Sequence, residues 1–204
     1  MQSEKPQSSV PFYWPFKRVF YGWAVVGASV LATFSSVPMY GPVLSLFMKP
    51  VGDDMGWSRG EMSIAFTAGS ILGGLSSSVV GRLLDRYGAR VSIVVAGMIM
   101  TAVLLGLALM QEIWQFWIIF GTGRAAAIVG INLGASVAVA NWFIRKRGRT
   151  VSFVGIGLRS GQSLFPLFLA PIIVALTWRH AYALLAIVAI AFIVIPAWLF
   201  VRRR

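Results

Sequence analysis

Apolar and polar positions alternate along this chain on a long scale: six apolar stretches are separated by short links of charged and turn-forming residues. They run approximately Tyr21–Met48, Glu61–Leu83, Val91–Met110, Trp114–Ala140, Val151–Leu176 and Ala181–Val201. A hydrocarbon core of about 30 Å takes roughly 20 apolar residues in a helix that rises about 1.5 Å per residue, so each stretch is long enough to cross. Lipid offers no partner to backbone N–H and C=O groups, so a crossing stretch must be helical. The expected fold is an all-α membrane protein with six transmembrane helices. Residues 1–20 form a tail, 21–201 the bundle, and 202–204 the start of a cytoplasmic loop or tail. Trp23, Trp57, Trp114, Trp142, Trp178 and Trp198 fall near the predicted span ends, where an indole ring favours the headgroup region.

Within such helices the informative positions are polar or small residues at helical spacing. The first run carries Ser29, Thr33, Ser36 and Tyr40 on one face, followed by Pro38 and Pro42, which predict a kink or break in its outer half. The second carries Ser63, Thr67, Ser70, Gly74, Ser77 and Gly81, and its Gly69 and Gly73 form a small-xxx-small step for close helix packing. The fifth aligns Ser152, Gly155, Arg159, Gln162 or Ser163, and Pro166.

Arg159 and, in the fourth run, Arg124 are each about eight residues from a span end, or about 12 Å deep. A mid-span arginine costs about 2.5–3.5 kcal/mol on insertion scales, so each is expected to face protein or a water-filled cavity. Two readings stand for each: a brace on the carbonyls or hydroxyls of a neighbouring helix, or a cationic site for an anion. The acids Glu4, Asp53, Asp54, Glu61, Asp85 and Glu112 all fall in links or at span ends, so neither arginine has a mid-membrane carboxylate partner in sequence. That favours the anion site.

Charge sets the expected orientation. The chain is 58% hydrophobic with 18 basic and 6 acidic residues, a formal +12, and a mean hydropathy of +0.80. Thirteen basic residues fall on one side: Lys5, Lys17, Arg18, Arg82, Arg86, Arg90, Arg145, Lys146, Arg147, Arg149 and Arg202–Arg204; Lys49, Arg59 and Arg179 fall on the other. The positive-inside rule then predicts a multi-pass protein of the plasma or inner membrane with both termini cytoplasmic. Charges clustered between apolar runs argue for lipid and against nucleic acid as the partner. No short apolar h-region precedes the first long run, so no cleaved signal peptide is expected. With no cysteine, one histidine (His180, expected in an outer loop) and no paired buried acids, the chain lacks the constellations for metal binding, thiol chemistry or proteolysis. Neither enzyme activity nor a cofactor or metal is expected.

Between the second and third runs stands Gly81-Arg-Leu-Leu-Asp85-Arg86-Tyr-Gly88-Ala-Arg90. It resembles the signature loop of the major facilitator superfamily, G-x-L-A-D-R-x-G-R-K, matching at Gly81, Leu83, Asp85, Arg86, Gly88 and Arg90. Leu84 departs from a small residue and Ala89 from a basic one. In physical terms Gly81 would let helices approach, Gly88 would permit a tight turn, and Asp85 would accept charge-assisted hydrogen bonds. Further stretches look like the oxalate/formate antiporter and monocarboxylate porter branch. These are Tyr21-Gly22-Trp23, Gly56-Trp57-Ser58, Asn141-Trp142-Phe143-Ile-Arg-Lys-Arg147-Gly148-Arg149, Gly155 to Gly161, and Trp178-Arg179.

The resemblance implies one half of a twelve-span carrier, built of two inverted three-helix repeats, with cargo held between two halves at mid-membrane. It implies a small organic anion, a monocarboxylate or dicarboxylate, as substrate. Helices one, four and five would line the cavity, with Arg159, Arg124, Tyr40 and Gln162 binding, while Gly81, Asp85, Arg86, Gly88 and Arg90 would form a conformational gate. That branch also places cationic binding residues in a second half, which this chain lacks. The expected partner is therefore a second six-helix half, from the same gene, a separate chain or a homodimer. The chain would then be an N-terminal fragment, a half-transporter or a non-transporting remnant, and would move nothing alone. The competing expectation is a structural or assembly subunit in which both arginines are braces.

Overall fold

Proline decides the shape of the first apolar run. In the computed structural model, which describes residues 21–143 and 147–201, this run is two helices, α1 (Gly22–Ser35) and α2 (Gly41–Met55), joined by a 3-10 turn over Val37–Met39. Pro38 sits inside that turn and Pro42 in the first turn of α2, where a missing N–H costs nothing to the helix ladder. Tyr40 is the corner, with extended backbone at φ −110° and ψ 158°.

Among the described residues five helices are long and apolar enough to cross a membrane: α3 (Arg59–Tyr87), α4 (Ala89–Leu109), α5 (Ile113–Trp142), α6 (Arg147–Ala175) and α7 (Trp178–Phe200). The chain is thus an all-α, multi-span membrane protein. Most helices outrun the apolar stretches that announce them, because hydropathy marks where lipid is and the backbone ladder continues into the headgroups. Ser58 and Glu61 close a capping box at the start of α3, Glu61 N donating to Ser58 Oγ (3.2 Å) and Ser58 N to Glu61 Oε2 (2.8 Å). Two helices contain π-helical stretches, Ala126–Leu133 in α5 and Ile190–Val194 in α7; the second runs directly into Pro196, whose absent N–H breaks the ordinary ladder. The tail 1–20, the link 144–146 and Arg202–Arg204 lie outside the described residues, and with them Lys5, Lys17, Arg18, Arg145 and Lys146.

Side-chain contacts define two ends. At one, the Tyr21 hydroxyl donates to Phe200 O (2.9 Å), the Tyr21 and Trp142 rings lie 5.2 Å apart, and the Arg90 guanidinium covers the Trp198 ring at 4.5 Å. Arg82, Arg86, Arg147 and Arg149 belong to the same end. At the other, Trp178 Nε1 donates to Asp54 Oδ2 (3.0 Å), Trp117 Nε1 to Glu61 O (2.9 Å), and Arg179 Nη1 to Ala108 O and Met110 O (3.0 and 3.1 Å) at the end of α4. Trp178 stands at the first position of α7, the span end expected of it, and is buried with its N–H on a carboxylate of α2. His180 is not in a loop but in the first turn of α7, exposed, its Nδ1 2.8 Å from Thr177 Oγ1.

Glycine sets two of the close crossings. On α3, Gly69 and Gly73 pack on Gly121 and Ala125 of α5, so a small-xxx-small step faces one of its own kind. On α6, Gly157 and Gly161 pack on the Val30 and Phe34 carbonyls of α1. The Ser63-to-Gly81 stripe of α3, by contrast, is not the packing face. Ser63, Thr67, Ser70 and Ser77 donate to carbonyls of their own helix, to Arg59, Ser63, Phe66 and Gly74 respectively, and much of the face stays open. The α6 stripe, Ser152, Gly155, Arg159 and Ser163, is likewise exposed. α3 and α6 are the least buried of the long helices, α4 and α5 the most.

Candidate functional site

The corner between α1 and α2 creates the problem that Arg124 solves. A proline-interrupted turn leaves carbonyls without intrahelical donors, and in lipid these must meet a side chain or water. The Arg124 Nη1 donates to Met39 O at 2.6 Å, and its Nε donates to Ser70 Oγ on α3 at 2.8 Å. Its guanidinium lies 3.7 Å from the Phe66 ring centroid and 5.1 Å from that of Tyr40. The residue is 8% exposed, so one carbonyl, one hydroxyl and two aromatic faces take the place of the carboxylate it lacks. The Gly69–Gly121 crossing brings α3 close enough for Ser70 to reach it.

Tyr40 projects from the corner and is half-buried. Its phenol oxygen accepts a hydrogen bond from Asn132 Nδ2 at 3.1 Å. Asn132 escapes a pattern reading, because an ideal α-helix would set it about 80° around the axis from Arg124. The π-helical stretch Ala126–Leu133 holds more residues per turn and brings both side chains onto the same tyrosine. A lone asparagine in an otherwise apolar segment was the one available clue.

Arg159 stands apart from Arg124 in every respect but charge. It is exposed on the open face of α6 and donates from Nη1 to Gln162 Oε1 at 3.1 Å, one turn along its own helix. Two residues on from Arg159, Gly161 packs against Phe34 and Val37, so α6 adjoins the corner that carries Tyr40. The corner, the π-helical stretch of α5 and α6 are therefore neighbours, and none of the three carries an Asp or Glu. Among the described residues no three His, Cys, Asp or Glu side chains converge to hold a metal ion.

The Gly81–Arg90 segment lies at the basic end, away from this face. Most of it is helix rather than loop: Gly81 to Tyr87 are the last turns of α3, and Gly88 alone joins α3 to α4. At φ 86° Gly88 occupies backbone space that disfavours any side chain. A Cβ on Gly81 would meet nothing within 4 Å, so the close approach expected there is not made among the described residues. Asp85 is exposed and has no hydrogen bond or ion pair among the described residues. The Arg86 guanidinium lies 5.4 Å from the Tyr87 ring. The Arg90 Nε is buried beneath Trp198 without a hydrogen-bond partner among the described residues. Asp85, Gly88, Arg90 and Asn141 border a cleft of about 540 Å³.

A family model described as Major Facilitator Superfamily matches residues 23–204. Among curated proteins, the chain is 27% identical over 118 residues to the oxalate:formate antiporter of Oxalobacter formigenes, covering 57% of this chain and 28% of that protein. It is 23% identical over 162 residues to the probable L-galactonate transporter of Escherichia coli (strain K12), covering 79% and 35%. It is 26% identical over 95 residues to the fujikurins efflux protein of Gibberella fujikuroi, covering 47% and 20%. The chain thus spans about a third or less of the length of each of these relatives.

Proposed function

From the chain's membership of the major facilitator superfamily, a family of membrane transporters and not enzymes, we propose that it forms one six-span half of an alternating-access carrier for a small organic anion. The carrying observation is Arg159, a guanidinium near mid-span, exposed from the bundle and bonded only to Gln162 among the described residues. In lipid that placement is costly; against a water-filled hollow closed by a second bundle it is not. Tyr40 and Gln162 orient the anion, and Arg124 contributes field from behind the corner. Oxalate, formate and galactonate, named in two relatives, are all carboxylates, which agrees with a cationic site.

Pairing of the helices supports two inverted three-span repeats. Beside a broad contact of α4 with α5, the main contacts are α3 with α5, α1 and α2 with α6, and α4 with α7. Counting α1 and α2 as one span, these pair the second span with the fourth, the first with the fifth and the third with the sixth. Exchanging the first three spans for the last three maps this pattern onto itself, and corresponding spans run in opposite directions. The open polar faces of α3 and α6 are the surfaces a companion half would cover. The positive-inside rule puts the basic end in the cytoplasm, where Asp85, Arg86, Gly88 and Arg90 would act as the gate.

The test is uptake of labelled oxalate, formate and galactonate by the chain together with its companion half in proteoliposomes. Arg159→Gln should abolish uptake of the transported species while leaving insertion and folding intact; undiminished uptake overturns the assignment. The bracing reading is favoured by one observation, the burial of Arg124 with hydrogen bonds to α3 and to the α1–α2 corner, and it applies to that residue. Charge reversal at Asp85 separates a carrier from an assembly subunit, since a gate residue changes transport and a bystander does not.

A further inference from the structure

We propose that Asn132 is a positioning residue of the anion site, holding the Tyr40 phenol so that its O–H points at the bound anion. This rests on the carrier reading above. A phenol offers one proton and an acceptor oxygen. In Tyr40 the oxygen accepts from Asn132 Nδ2 at 3.1 Å, and no described atom takes the proton. With the amide N–H on one side of the oxygen, the O–H is directed to the other. Donation by the amide also polarises the O–H and makes it a stronger donor. Through Gly161 and Val37, α6 packs against the same corner, so Arg159, two residues before that contact, stands on the helix next to Tyr40. An uncharged donor next to a guanidinium gives the site direction as well as charge. Asn132 owes its placement to the π-helical stretch Ala126–Leu133, a type of distortion that recurs at functional sites.

The experiment is a double-mutant cycle between Asn132 and Tyr40 in the carrier assembled with its companion half, using whichever of labelled oxalate, formate or galactonate is taken up. Asn132→Leu should raise KM about fivefold, the scale of one neutral hydrogen bond, with Vmax unchanged. Asn132→Asp, the same shape with acceptors only, captures the phenol proton and adds a like charge, so it should raise KM further. In a Tyr40→Phe background, Asn132→Leu should have no further effect on KM. Additive effects, or a fall in Vmax and folded yield with KM unchanged, overturn the positioning role. If Arg159→Gln abolishes uptake while the cycle is additive, the carrier reading stands and this proposal alone fails. If the unmodified assembly takes up none of the three carboxylates, both fall.

Discussion

Replacing Gly69 by alanine isolates the contact on which the buried arginine depends. A Cβ built there lies 2.9 Å from Arg124 Cβ, Gly121 Cα and Gly121 O, two of which are backbone atoms that no rotamer change can move. Ordinary carbon contacts lie at about 3.5–4.0 Å, so α3 and α5 must separate by roughly 0.6–1 Å. Overpacking of this kind costs about 1–3 kcal/mol. The same movement lengthens the 2.8 Å bond from Arg124 Nε to Ser70 Oγ, the residue next to Gly69, to the edge of hydrogen-bonding range. A bond from a charged group contributes about 1.5–3 kcal/mol, and part of that is lost as well. Alanine returns about 0.8–1 kcal/mol of helix propensity. The net expectation is a destabilisation of about 2–3 kcal/mol. Gly74→Ala, on the same helix, is the control: nothing lies within 4 Å of its Cβ, so only the propensity gain of up to about 1 kcal/mol remains. Unfolding of the isolated chain by SDS titration in mixed micelles, followed by circular dichroism, should separate the two midpoints in opposite directions from wild type. Coincident midpoints would refute the crossing and the account of Arg124 built on it.

Arg124→Gln should lower stability in the same assay by about 1–3 kcal/mol, because the Met39 carbonyl loses its donor, whereas Arg159→Gln should change it by less than about 0.5 kcal/mol. Gly88→Ala forces a Cβ into backbone space at φ 86° and should cost about 1–3 kcal/mol, visible as a lower midpoint in the same titration; equal stability would remove the reason for glycine there. Trp178→Phe removes the bond to Asp54 Oδ2 and should cost about 1–3 kcal/mol, while Asp54→Asn, which keeps an acceptor, should cost less. Both are read from the same unfolding curves.

Periodicity made the bundle legible because lipid leaves the backbone few options: an apolar run of that length with no water must be helical, and proline within it must break the ladder. The break at Pro38, the glycine step of α3 and the single-residue turn at Gly88 follow from covalent properties of those residues, and all are readable in one dimension. Which face of α3 packs was not, since glycine and serine serve equally as packing surface and as open polar surface. The choice fell to Gly69 and Gly73 only when α5 presented Gly121 and Ala125 to them.

Charge and hydropathy alone therefore determine a multi-span helical membrane protein with a strong basic bias, and the Gly81–Arg90 segment points to its family. The two mid-span arginines look equivalent in sequence, each a cation without an acid. Tertiary structure separates them: Arg124 meets a carbonyl freed by a break 85 residues away, while among the described residues Arg159 bonds only within its own helix. The role of Asn132 was likewise invisible, because it depends on a local change of helical pitch that carries two residues of α5 to one tyrosine of another helix. The number of partners a buried charge requires is a property of the residue, and where those partners come from is decided by how the helices cross.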